Sequence, residues 1–273
     1  MSSVSLQLPR IGVPPIKCQG IKTKLVPFIL SQVVWQETSD ATWIEPFLGS
    51  GVVAFNRIPH RAILADTNPH IIGFYQAIQQ GTIDRAVVQE FLTKEGEILR
   101  QRGAEYYYEV RDRFNQTASP LDFLFLNRAC FNGLMRFNSE GKFNVPFCQK
   151  TQRFSQSYIT KISNQVDWVA QRMVGKVWKF RVADWQETLK DAKSDDYVYL
   201  DPPYIGRHAD YHNSWNLEKS EHLAAIAQRL PCKFAVSMWL ENRHRQNNHI
   251  RQCWPPKKQV PQLDYQKLDR PQA

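Results

Sequence analysis

Long apolar runs are missing from this 273-residue chain. None approaches the roughly 18 consecutive apolar residues that cross a bilayer as a helix, so no membrane span is expected. Met1 to Arg10 lacks the apolar stretch of a secretory leader. Cysteine is scarce and unpatterned: Cys18, Cys130, Cys148, Cys232 and Cys253 are odd in number and hold no Cys-x-x-Cys pair. That argues against both a zinc site and a disulfide framework. Reduced thiols serving as small apolar side chains, in a cytoplasmic protein, are the expectation. His208, His212, His222 and His244 fall into no metal-ligand spacing, so no metal is expected. Internal repeats are absent too. Acid is in deficit, with 26 Asp and Glu against 35 Lys and Arg, a formal net charge of +9. An excess of that size favours a polyanionic partner. Apolar residues make up 42% of the chain, enough for a sizeable core without metal or disulfide.

Pro14-Pro15-Ile16-Lys17-Cys18-Gln19-Gly20-Ile21-Lys22 reads as an extended segment, a glycine turn and a second lysine. Two lysines flanking a glycine could hold a carboxylate or phosphate, or form an ordinary solvated turn. From Thr23 the spacing of Leu25, Phe28, Ile29 and Val33 predicts a helix with Pro27 near its start. Ala41 to Glu45 predicts the first strand, which meets Pro46-Phe47-Leu48-Gly49-Ser50-Gly51 before a helix from Val52. Strand, tight glycine turn and helix aim backbone amides at a ligand, and Gly49 and Gly51 permit close approach. The next strand, Ala62 to Ala65, ends in Asp66, about 20 residues on, the spacing at which an acid bonds ribose hydroxyls. Its plainer role is a cap or turn ahead of Asn68-Pro69.

From Thr82 to about Val174 the strand–helix alternation lapses. Val87 to Leu99 recurs at helical spacing up to Gly103, Ala104 to Phe114 reads as a second helix, and Ser119-Pro120 starts a third. Arg128 to Asn138 then interleaves arginine, asparagine and aromatics, the types that read base edges or wedge into a stack. A helical cap with a surface hairpin explains that stretch equally well. Ser139-Glu140-Gly141-Lys142 predicts a turn between two short strands, the second being Phe143 to Phe147. The sheet resumes at Val177 to Val182, reaches Asp184-Trp185, and continues with Tyr197 to Asp201. A helix from about Leu217 and a strand at Phe234 to Met238 follow. Past Asn242 the text turns polar, and residues 255–273 read as a disordered or truncated tail.

The stretch that gives these parts a chemistry is Asp201-Pro202-Pro203-Tyr204. Proline cannot donate to a ladder, so the strand must stop at Asp201 and leave a carboxylate at its carboxyl end. Asp201 and the Pro202 carbonyl can each accept a hydrogen bond from an amino group conjugated to a ring. That fixes the nitrogen lone pair toward an electrophile and favours the charge developing on attack. Tyr204 offers a stacking face for a planar base, which must first be flipped out of a duplex.

At these residues the chain resembles the Dam-type family of S-adenosylmethionine-dependent DNA adenine-N6 methyltransferases, and within it the EcoRV-type modification enzymes. The matching stretches are Pro14 to Lys22, Glu45 to Gly51, Ala65 to Pro69, Phe131 to Phe147 and Asp201 to His208. The resemblance implies an α/β fold: a doubly wound, mostly parallel, Rossmann-like sheet ending in an antiparallel hairpin, with a helical target-recognition insert. Residues 1–81 and 175–254 would form the catalytic domain and 82–174 the insert. It implies S-adenosylmethionine as cofactor, with Cys18, Lys22, Phe47, Gly49, Gly51, Asp66, Asp184 and Asp201 around it. Asp201, Pro202 and Tyr204 would be catalytic, and Phe131, Asn132, Arg136 and Asn138 would meet DNA, Arg136 through a guanine edge. Double-stranded DNA is the implied partner, the chain acting as a monomer away from membranes. The wider family carries Trp at the place of Cys18 and Gly-Gly at Gly20-Ile21. The expected function is site-specific methylation of a flipped adenine, in a restriction–modification system with a site such as GATATC. The rivals are a truncated DNA-binding pseudoenzyme and a cytosine-N4 methyltransferase.

Overall fold

Parallel strands buried on both faces read as near-continuous apolar runs, and Tyr197-Val198-Tyr199-Leu200 is such a run. In a computed structural model, which describes residues 11–203, 215–238 and 253–254, it is the fourth strand of a five-stranded sheet. The strands are β1 (Trp43–Glu45), β2 (Arg61–Asp66), β3 (Val177–Val182), β4 (Tyr197–Leu200) and β5 (Lys233–Val236). Among the described residues every pairing is parallel, in the order β3-β2-β1-β4-β5. The chain therefore builds outward from β1 in one direction, returns, and builds outward in the other. The reversal falls between β1 and β4, the crevice where open α/β sheets bind their ligands. The expected closing antiparallel hairpin and the tail lie outside the described residues.

Side chains alternate across each strand, and the two faces fill with different partners. Trp43, Ala62, Leu64, Trp178, Phe180, Tyr197 and Tyr199 belong to one core, Ile44, Ile63, Val198 and Leu200 to the other. On the first face Trp43 stacks on Tyr197, with ring centroids 5.2 Å apart and planes 10° apart. That face is covered by α1 (Val26–Gln32), α2 (Val52–Arg57) and α3 (Pro69–Gln79). Asn68 caps α3 by accepting the His70 amide, and Pro69 supplies the first helical residue. The second face carries α8 (Trp185–Leu189) and α9 (Leu217–Ala227). Helices on both faces make the sheet doubly wound, as the resemblance implies.

Between α3 and β3 come α4 (Arg85–Arg102), α5 (Ala104–Thr117), α6 (Pro120–Ala129) and α7 (Gln156–Met173). Ser119 caps α6, accepting the Asp122 amide. Their apolar faces join the first-face core without a break. Inside the insert, Arg113 donates to Glu95 at 2.7 Å and forks onto Asp122, and the Tyr106 hydroxyl donates to Glu95 at 2.7 Å. The expected pair of short strands around Ser139 to Lys142 does not form. Only isolated antiparallel bridges, Phe137 with Phe143 and Cys130 with Phe147, mark it. The Asn138 side-chain oxygen takes the amides of both Glu140 and Lys142, and Pro146 has no amide to donate, so no continuous ladder develops.

The first residues are strapped to the insert. Ile16 is buried, and the Asn127 side chain holds both backbone groups of Lys17 at 2.8 and 2.9 Å. No helix among the described residues is long and apolar enough to cross a membrane.

Candidate active site

Three strands stop at acids. Glu45 ends β1, Asp66 ends β2, and Asp201 follows the last residue of β4. Register aligns them: Glu45 lies opposite Leu64, two residues short of Asp66, and Trp43 opposite Tyr197 puts Glu45 level with Tyr199, two short of Asp201. A step of two residues keeps a side chain on the same face, so all three acids project on the face of Trp43. They line one cleft of about 590 Å³ at the carboxyl edge of the sheet. That lies within the range of small-molecule and cofactor sites.

Asp201 and Lys22 form the ion pair of the cleft. The Lys22 ammonium lies 2.7 Å from each carboxylate oxygen and donates to the Gly20 carbonyl at 2.8 Å. Their side chains are 22% and 6% exposed. Burial pushes the Asp201 carboxyl up from its ordinary range, against the pull of Lys22. Pro202 is buried behind it and Pro203 lines the opening. Lys17 does not share this site: its neighbours are Tyr158, Arg153 and Arg128. The two lysines of the leading segment therefore part company, one to the cleft and one to the insert.

The glycine turn is built as its residues dictate. Gly49 and Gly51 both sit at positive φ, +49° and +68°, where a side chain is strained. The Gly49 amide donates to Asp66 Oδ2 and the Asn68 amide to Asp66 Oδ1, both at 2.9 Å. Asp66 thus braces the turn, and its carboxylate keeps acceptor capacity for a hydroxyl of a ligand. Burial raises its carboxyl and the amides of Asn68, Gly49 and Thr67 oppose the rise. Behind the turn, Cys18 Sγ lies 3.8 Å from where a Gly49 Cβ would stand. Burial, then Asp66 and Asp201, push that thiol well above its ordinary value.

Phe47 and Asp184 stand at the far end of the cleft. Asp184 caps α8, accepting the Glu187 amide at 2.8 Å. Beside it Phe47 meets the edge of Trp215 at 5.5 Å, and Trp215 meets Trp185 at 6.5 Å. Tyr204 lies outside the described residues. From the insert, Met135, Phe137 and Gly141 reach the same cleft, and Phe137 stacks on His70 with centroids 5.1 Å apart. Phe131 is 50% exposed and Asn132 adopts a left-handed backbone at the tip of the loop. The Arg136 guanidinium is held by Asn144, through its side chain at 2.8 Å and its carbonyl at 3.1 Å. Asn138 spends its side-chain oxygen on the turn. Phe131, Asn132, Arg136 and Asn138 therefore lie on one loop beside the cleft.

Among the lining residues that the reading of the sequence did not assign to the site are Glu45 and Trp215. Glu45 is 2% exposed and accepts the Trp43 indole N–H at 2.8 Å. The rule that singled out Asp201, an acid at a strand's carboxyl end, applies to it equally. Trp215 carries no motif of its own, standing at the end of a polar and aromatic stretch from Gly206 to Asn216.

Comparison with known proteins comes to the same place. The model of the D12 class N6 adenine-specific DNA methyltransferases matches residues 19–263. The chain is 33% identical over 210 residues to a DNA adenine methylase of Vibrio cholerae serotype O1, covering 73% of this chain and 71% of that protein. It is 32% identical over 213 residues to a DNA adenine methylase of Haemophilus influenzae, covering 73% and 69%. A DNA adenine methylase of Serratia marcescens is 32% identical over 209 residues, covering 73% of each.

Proposed function

The chain belongs to the family of D12 class N6 adenine-specific DNA methyltransferases, and from that premise we propose that it methylates a flipped adenine at one DNA site using S-adenosylmethionine. The observation that carries this reading is the shared cleft of the glycine turn, Asp66 and Asp201 at the sheet's switch point. The donor set suits the cofactor: a carboxylate for ribose hydroxyls, a turn without Cβ atoms, aromatic faces at Phe47 and Trp215, and the acid Asp184 near an adenine. When bound, S-adenosylmethionine supplies an electrophilic methyl group.

Asp201 and the Pro202 carbonyl accept the two N–H bonds of the adenine N6 amine, which turns its lone pair toward that methyl. The Lys22 ammonium keeps Asp201 ionised in a buried place, and so keeps it an acceptor. Tyr204 stacks on the extruded base. Phe131, Asn132, Arg136 and Asn138 meet the duplex, with Phe131 as the wedge and Arg136 turning from Asn144 to a guanine edge. Residues 82–174 act as the recognition insert, and 1–81 with 175–254 as the catalytic part. The likeness to the EcoRV-type branch favours a protective role in restriction–modification and a site such as GATATC. The test is expression in a host without adenine methylation, followed by mapping of modified bases. Modified adenine at one short sequence is expected; soluble protein with no modified adenine, or with modified cytosine, overturns the proposal.

A further inference from the structure

Glu45 is a costly residue to place where it stands. It is buried at the carboxyl end of β1, in the crevice between β1 and β4, with Asp201 at the end of the neighbouring strand. Its oxygen takes the Trp43 indole N–H, and the Ala54 backbone in the first turn of α2 also bonds to it. Both contacts orient the carboxyl; neither brings a positive charge. Among the described residues Glu45 makes no ion pair, whereas Asp201 next to it has Lys22. A buried acid without a cation keeps its proton. Burial, reinforced by the charge of Asp201, pushes this one up to about 8.

We propose that Glu45 is the charge-selective contact of the cleft, giving up its proton to solvent when a cationic ligand enters and taking one back when the cation is gone. This rests on the cofactor reading above. S-adenosylmethionine carries a positive sulfonium, and its product S-adenosylhomocysteine carries a neutral thioether. On entry of the cation, the Glu45 O–H bond breaks, the proton leaves to water, and the carboxylate left in the cleft would balance the ligand's positive charge. Methyl transfer moves the S–CH3 bonding pair onto sulfur and releases one proton from the adenine N6. With the cation gone, the Glu45 carboxylate again stands beside Asp201 uncompensated and takes up a proton. Binding and turnover together thus release one net proton, and the grip on the product is weaker than the grip on the substrate. The other titratable groups of the cleft are Asp201 with Lys22, Asp66, Cys18, Tyr199 on the neighbouring strand, His70 in the first turn of α3, and, at the α8–α9 end, Asp184, Lys219 and His222. The two ligands share their adenosine and amino-acid parts, so a difference between them reports the charge on sulfur.

The measurement is calorimetric binding of each ligand to the intact protein at pH 7, in phosphate and in Tris, whose different ionisation heats report the protons released. S-adenosylmethionine should release close to one proton more than S-adenosylhomocysteine. Its relative affinity should rise by up to about tenfold per pH unit, levelling near pH 8. In E45Q, which keeps the shape of the neutral acid, the proton difference should vanish while both ligands still bind. Equal proton release by both ligands in the native protein overturns the proposal, as does a difference that survives in E45Q. If neither ligand binds the native protein, the cofactor reading itself has failed and this inference falls with it.

Discussion

Lys22→Met removes the cation that, among the described residues, pairs with the Asp201 carboxylate, and leaves that acid in a site with 22% of its side chain exposed. Breaking a buried pair by deleting one partner costs about 3–5 kcal/mol, and the partial exposure of Asp201 puts this case near the lower end. The cost depends on pH, and its sign follows from the direction of the shift. Burial already holds the folded-state Asp201 carboxyl above its ordinary value, with Lys22 opposing. Without Lys22 it rises further. A raised carboxyl contributes stability that is fully present below its unfolded value and lost as pH climbs through its folded one. Urea titrations of K22M should therefore show a small deficit at pH 5 and about 3 kcal/mol at pH 8. The pair D201N and K22M/D201N completes a cycle in which the double variant is more stable at pH 8 than the two single losses add to. Activity moves with the same group: the acid limb of the kcat/KM profile shifts to higher pH in K22M, because Asp201 must be ionised to accept the N6 amine. A deficit equal at pH 5 and pH 8, together with additive single losses, would refute the reasoning.

Three further outcomes are expected. Gly51→Ala puts a methyl 2.5 Å from Phe55 Cε2 at a φ of +68°; strain and overpacking of about 3 kcal/mol should lower Tm by roughly 6–12 °C in calorimetry. Arg113→Met strips the guanidinium from Glu95 and Asp122, whose side chains are 6% and 3% exposed; a loss of about 3–5 kcal/mol in urea unfolding checks it. Phe131→Ala touches a half-exposed side chain, so Tm should hold within about 1 °C while affinity for a cognate duplex falls at least tenfold in anisotropy titrations.

The sheet and the turns at its carboxyl edge were legible because their signals are local. Pro202-Pro203 ends β4 by chemistry that needs no tertiary context, and Gly49 and Gly51 occupy the positive-φ positions their lack of a side chain suits. The β2 strand and Asp66 followed from spacing. Three helices were passed over, α3, α7 and the short α8, two of them with plain signals: α7 repeats Ile159, Ile162, Val166 and Val169 on one face, all buried, and Asn68-Pro69 is the cap and first residue of α3. Asn68 was weighed as part of a turn around Asp66. The hairpin failed because alternation of Phe143, Val145 and Phe147 reflects burial against α5 and α6 rather than a ladder: Tyr107 donates to the Val145 carbonyl and Asn115 brackets Phe143. The pairing of Lys22 with Asp201 spans most of the chain, and no local pattern announces a contact of that kind. Glu45 stayed hidden because an acid at a strand end is noticed only once a neighbouring strand has ended the same way.

The unbroken core beneath the insert bears on how such an enzyme could change its target. Since the apolar faces of α4 to α7 continue the first-face core without a break, and Asn127 clamps Lys17 in the leading segment, the proposed recognition insert is no detachable cassette. Grafting residues 82–174 from a relative would import the outer loop along with half of a foreign interior, and the mismatch would surface as misfolding before it surfaced as new specificity. Divergence has an easier route through the loop of Phe131 to Asn144, whose exposed tip can vary while the interior behind it stays fixed.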